Sequence, residues 1–91
     1  MKLLVAYDIS DDRRRAQSVR ILLDYGRRVQ ESVFWLEAET ELIDQMRRRI
    51  RAVIDPEVDS LWILFLCETC IGKLETIGMQ NVPEVPAFYI I

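Results

Sequence analysis

Four short segments of this chain, Lys2–Ile9, Val33–Leu36, Leu61–Cys67 and Ala87–Ile91, are apolar at odd and even positions alike. Only two segments carry a helical apolar stripe. A strand apolar on both parities must be covered on both faces, and two helices can cover one face of one sheet. The chain has 91 residues, enough for a single domain and too few for two independent cores. The second sheet face is therefore expected to meet another surface. In a chain this small the default is a two-fold copy of itself, because the alternative is a large exposed patch of Leu, Trp and Phe.

Along the chain, Lys2–Ile9 reads as a buried strand. Ser10, Asp11 and Asp12 supply an N-cap and negative charge for a helix that runs to about Tyr25. Ala16, Val19, Leu22 and Leu23 form its stripe, and Gly26 is a natural terminator. Arg28–Glu37 is strand-like but changes parity midway, so it is bent, bulged or split in two. Thr40 caps a second helix over about Glu41 to Val53, with Leu42, Ile43, Met46, Ile50, Val53 and Ile54 as its stripe; Asp55-Pro56 stops it. Ser60–Cys67 reads as a central strand, Cys70–Gly78 as a short strand or turn, and Ala87–Ile91 as a terminal strand after Pro83 and Pro86. The order, β-α-β-α-β with a possible extra strand in the middle and another at the end, predicts an α+β sandwich of ferredoxin type over residues 1–91, with an additional C-terminal strand and two helices on one sheet face.

Several function classes fall away early. There is no histidine, which excludes Ser-His-Asp and Cys-His catalysis and histidine-ligated zinc. The three glycines are scattered, so no phosphate-cradling loop exists. The longest apolar run, Leu61–Cys67, falls far short of the roughly 20 residues that span a bilayer. Asp8 interrupts the start of what would resemble a signal peptide, and no small-residue cleavage site follows. A cytoplasmic chain without a membrane partner is expected.

Charge is uneven. The formal net charge is −3, yet residues 11–30 hold six arginines against three aspartates. Residues 37–60 hold seven acids against four arginines. Ten of the twelve basic residues are arginine, whose planar fork suits phosphate. The acidic total argues against coating nucleic acid indiscriminately and leaves room for a local phosphate-binding ridge. Solvated arginine-rich helix faces are the plain alternative.

Asp8 is the most informative residue. Strand alternation puts it on one face with Leu4 and Ala6, while Tyr7 joins Leu3 and Val5 on the other. A carboxylate at the end of an apolar strand either caps the next helix, marks an exposed strand tip, or binds a hard metal. One carboxylate alone makes a poor Mg²⁺ site; a two-fold axis would supply a second Asp8. Arg13, Arg14 and Arg15 follow closely, and Arg27 and Arg28 flank the helix's other end; guanidiniums there either neutralise the carboxylate or hold substrate phosphate. Cys67 and Cys70 form a lone CxxC, read as structural thiols at a strand end, with a dimer-bridging zinc as the alternative. The uncharged Ala87–Ile91 strand is expected to pair with the edge of a partner's sheet.

Tyr7-Asp8-Ile9-Ser10-Asp11-Asp12, then Arg15, then Tyr25-Gly26-Arg27-Arg28-Val29-Gln30-Glu31-Ser32-Val33-Phe34 resembles the CRISPR-associated protein two family, the small nucleases of the adaptation module. The pattern YDI-x-DD…YG-x-RVQ-x-SVF covers residues 7–34; residues 35–91 match in length, element order and the apolar last strand. The resemblance implies a ferredoxin-like βαββαβ subunit in a tight homodimer, with Asp8 of each subunit as the Mg²⁺ ligand and catalytic carboxylate. It implies phosphate contacts at Arg15 and Arg28, beside Arg14, and shared positions at Tyr7, Ser32 and Phe34. It implies endonuclease action on RNA or double-stranded DNA, and a role as the dimer that bridges CRISPR integrase subunits in spacer acquisition, which need not involve cleavage. Trp35 departs from the family pattern, where smaller or acidic residues are common. A ferredoxin-like regulatory module binding a small ligand is a third class, opposed by the missing glycine-rich loop.

Overall fold

The structure is a computed structural model that describes residues 1–73, Glu75 and Ile77. The expected terminal strand at Ala87–Ile91 lies outside these residues. The order is β1 (Lys2–Asp8), α1 (Asp12–Leu23), β2 (Gly26–Gln30), β3 (Val33–Glu37), α2 (Thr40–Arg51), β4 (Ser60–Leu66) and one turn of helix, α3 (Glu68–Ile71). The sheet is antiparallel in the order β2-β3-β1-β4. The βαββαβ order is thus met. Ser60–Cys67, however, is not central among the described strands: β4 stands at an edge, because β1 and β3 take the two middle places.

Both helices lie on one face. Leu3, Val5 and Tyr7 of β1 and Phe34 and Leu36 of β3 point into a core with Ile21 and Leu22 of α1 and Ile43, Met46 and Ile50 of α2. Each fully buried side chain of this kind contributes ~1.5–3 kcal/mol. Asp11 caps α1, its Oδ2 accepting from the Arg14 amide at 2.8 Å. Thr40 does not cap α2. It is the first helical residue, and the preceding Glu39 makes no side-chain cap bond. The basic side chains Arg48, Arg49 and Arg51 sit in the last turn of α2, where the helix dipole favours cations.

The segment 28–37 is split and bulged. Register slips between Arg28 and Gln30, and Glu31 and Ser32 form the turn between β2 and β3. Gly26 opens β2 rather than ending α1, whose C-cap is Asp24. A Cβ at Gly26 would come within 2.2 Å of the Trp35 carbonyl oxygen, so close strand approach excludes any side chain there.

The other sheet face carries Leu4, Ala6 and Asp8 of β1, Val33 and Trp35 of β3, and Ser60, Trp62 and Leu64 of β4. Part of it is covered from within. Ile71 of α3 packs with Trp35 and Val29, and Leu4, Val33 and Leu66 pack against them, which covers the β2–β3 side of this face and the Lys2 end of β4. The rest of β4 on this face is left open by the described residues, with Trp62 and Leu64 each 58% exposed. No described helix is long and apolar enough to cross a membrane.

Candidate active site at the Asp8 end of the sheet

Asp8 is the last residue of β1 and stands opposite Ser60, the first residue of β4. Its side chain is exposed and makes no hydrogen bond or ion pair among the described residues. It lies on the uncovered face, in line with Ala6 and Leu4, as strand alternation requires. An unpaired carboxylate therefore ends the apolar patch of Ala6, Trp62 and Leu64.

Three residues, Ile9 to Asp11, connect Asp8 to α1, and Arg15 braces them. Its Nη1 donates to the carbonyls of Ile9 and Ser10, both at 3.2 Å, and its Nη2 pairs with Asp12. Arg14 reaches the other side. Its Nε donates to Asp59 Oδ2 at 2.8 Å and its Nη2 to Asp59 Oδ1 at 3.3 Å. The Asp59 side chain is only 1% exposed. It also accepts from the Asp55 amide at 2.8 Å. The Arg14 bond, and then the Asp55 amide, hold the Asp59 carboxyl below the usual carboxylate range. The same bond raises Arg14, with Asp59, Asp11 and Asp55 adding to it.

Tyr7, Arg28, Ser32 and Phe34 meet at the β2–β3 turn, on the helix side of the sheet. Tyr7 Oη donates to the Glu31 carbonyl at 3.0 Å, and Arg28 Nε and Nη2 donate to the same oxygen at 2.9 and 2.6 Å. The Tyr7 amide donates to the Ser32 carbonyl at 3.1 Å. Phe34 lies under both: its ring centroid is 6.3 Å from that of Tyr7 and 5.8 Å from the Arg28 guanidinium carbon. These contacts lock the turn without a glycine or proline. They also place Arg28 on the opposite sheet face from Asp8, since Arg28 pairs with Phe34.

Arg14, Arg15 and Arg28 thus each commit part of the guanidinium to the chain's own oxygens. Arg14 keeps Nη1, 3.9 Å from Asp11; Arg28 keeps Nη1. Asp59 was missed by sequence reasoning. Its only signal was an acid two residues before an apolar run, which many solvated turns share. Cys67 is exposed at the end of β4, and Cys70 falls within α3. Among the described residues no three His, Cys, Asp or Glu side chains cluster as a metal site. The fit to Mg²⁺ rests on Asp8: a hard, unpaired oxygen donor is the right ligand type, and one per chain leaves most positions to water, phosphate or a second copy.

Residues 1–74 match the family described as CRISPR associated protein Cas2. A relative from Chloroflexus aurantiacus named CRISPR-associated endoribonuclease Cas2 1 is 41% identical over 93 residues, covering 100% of both chains. The CRISPR-associated endonuclease Cas2 2 of Thermus thermophilus is 40% identical over 81 residues, spanning 89% of this chain and 86% of its own. The crystal structure of Streptococcus pyogenes Cas2 superposes with a TM-score of 0.77 at 29% identity, covering 86% of this chain and 100% of that one. On sequence and fold together, the chain belongs to the CRISPR associated protein Cas2 family.

Proposed function

We propose that two copies of this chain form a Mg²⁺-dependent endonuclease of the CRISPR adaptation machinery, acting on phosphodiester bonds of RNA or double-stranded DNA. The observation that carries the reading is the unpaired Asp8 carboxylate at the edge of an uncovered apolar patch. Burying Ala6, Trp62 and Leu64 against a two-fold mate would bring the two Asp8 side chains to one cleft. The names of the relatives, an endoribonuclease and an endonuclease, support the reaction class.

Asp8 from each copy would hold the ion. Bound there, Mg²⁺ supplies a low-pKa water and positive charge beside a scissile phosphate. The rest falls to the chain's own side chains. Arg15 keeps the Ile9–Ser10 loop in place. The unused N–H groups of Arg14, Arg15 and Arg28 are the candidates for phosphate, which would make binding salt-sensitive and largely independent of sequence. Tyr7, Ser32 and Phe34 support the adjacent turn.

A second reading, a non-catalytic dimer bridging the CRISPR integrase and holding protospacer DNA, is favoured by one observation. The expected phosphate-binding arginines are already engaged with Asp59, Ile9, Ser10 and Glu31. One experiment separates the two: wild type and Asp8→Ala compared for Mg²⁺-dependent cleavage of RNA and duplex DNA, and for spacer integration with the integrase present. The endonuclease reading expects Mg²⁺-dependent cleavage to be lost while integration survives. Undiminished cleavage removes Asp8 from the mechanism.

A further inference from the structure

We propose that Asp59 is a positioning residue for Asp8. The proposal rests on Asp8 as the metal-holding carboxylate and adds a residue that never touches metal or substrate.

A buried carboxylate must be paired or hydrogen-bonded. Turn 55–59 closes on itself through backbone bonds, Asp59 N to Asp55 O at 2.8 Å and Val58 N to Asp55 O at 3.2 Å. Its inward side chain needs only to accept from the Asp55 amide, which a neutral side chain would do. A negative charge in that place is costly unless paired. The pairing it has is the Arg14 fork, 45 residues away in sequence. The charge therefore ties the first turn of α1 to the residue before β4.

That tie closes a ring around Asp8. On one side, Asp8 leads through Ile9, Ser10 and Asp11 into α1, where Arg14 sits. On the other, Asp8 is in register with Ser60, the residue after Asp59. The cross-strand pair, the peptide link from Ser60 to Asp59, the Arg14–Asp59 fork and the short connection back to Asp8 form one closed circuit. Arg15 stiffens its loose side by taking both loop carbonyls. The last bond of β1 to the β3 side is that of the Tyr7 amide to the Ser32 carbonyl, so Asp8 itself has its only strand partner in Ser60 of the edge strand β4, and without the fork nothing would tie that terminal pair to α1, at the point where strand pairs fray. A metal shared by two carboxylates demands their placement to within ~0.5 Å, which a fraying strand end does not provide.

The test uses Mn²⁺ alone, without nucleic acid, titrated into the dimeric protein and followed by the EPR signal of the free ion. Supporting outer residues typically set metal affinity by ~10–100-fold. We expect Asp59→Asn to weaken Mn²⁺ binding about tenfold and Asp8→Ala to abolish it. Arg49→Gln is the control. It breaks the 2.9 Å pair with Asp24 and the 3.1 Å bond to Tyr25, where α1 ends against α2, and should lower thermal stability without moving Mn²⁺ affinity. A second readout needs no metal: amide exchange of residues 8–11 should accelerate in Asp59→Asn and not in Arg49→Gln. If Asp59→Asn does not fold, Arg14→Lys replaces it, since a cation then still faces Asp59 while the two-pronged fork is lost. If Asp59→Asn behaves as Arg49→Gln in both readouts while Asp8→Ala loses Mn²⁺, the positioning role is overturned and the Asp8 reading stands. If Asp8→Ala still binds Mn²⁺ as wild type does, the Asp8 reading itself falls.

Discussion

Arg14 and Asp59, 45 residues apart, are joined by two hydrogen bonds of 2.8 and 3.3 Å around a carboxylate whose side chain is only 1% exposed. A group whose folded pKa is depressed stabilises the fold above its unfolded pKa, ~3.9 for aspartate. That contribution is lost as pH falls through the lowered folded value. Wild type should therefore melt above Asp59→Asn at pH 7, and the two melting curves should converge as pH drops below about 4. Melting followed by circular dichroism at a series of pH values checks this. A gap of constant size from neutral to acid pH would show that the Asp59 charge is not what holds α1 to β4.

The stretch of β4 left open on the face away from the helices makes a separate prediction. Leu64 stands opposite Leu4, and Trp62 opposite Ala6. If this patch is where a second copy sits, Leu64→Asp places a charge at the centre of the interface. Association should weaken by ~2–4 kcal/mol, roughly 30- to 1,000-fold in Kd. Circular dichroism should stay unchanged, because Leu64 faces away from the helices. Sedimentation equilibrium reads the result. A dimer of unaltered affinity would move the interface elsewhere.

Ser18 offers a test of the core. It is fully buried in α1, and its hydroxyl has no hydrogen-bond partner among the described residues. Removing an unsatisfied buried hydroxyl recovers part of its desolvation cost. Ser18→Ala should stabilise the fold by ~1 kcal/mol, which is ~4–8 °C in a domain of this size. A fall in Tm would mean that the hydroxyl is bonded in solution.

What the sequence could disclose followed from local periodicity. The alternation of Leu3, Val5 and Tyr7 against Leu4, Ala6 and Asp8 assigns both faces of β1 correctly, since period two is a property of the strand alone. The stripe Ile43, Met46, Ile50 likewise places α2. What stayed hidden depends on residues far apart. The Glu31–Ser32 turn has no glycine, proline or asparagine, and is held by Tyr7 and Arg28. Gly26 looks like a helix terminator until Trp35 is seen against it. The edge place of β4 is a matter of sheet order, which its own apolar residues do not encode. One turn of helix at Glu68–Ile71 is too short to show a period, so the partial cover that Ile71 gives Trp35 was not foreseen. At the candidate site Asp8 was legible as a carboxylate out of place in an apolar strand. The engagement of Arg14 was not, because nothing near Asp59 in sequence points back to α1.

The central claim is that one site is built from two Asp8 side chains, one from each copy. Mixed dimers test it most directly. Differently tagged wild-type and Asp8→Ala subunits are refolded together, the heterodimer is purified through both tags, and Mg²⁺-dependent cleavage is measured beside both homodimers. A shared site predicts that the heterodimer is nearly as inactive as Asp8→Ala itself, since one carboxylate cannot complete the ion's protein ligands. A heterodimer retaining half of the wild-type rate would mean that each copy carries its own site, and would contradict the account.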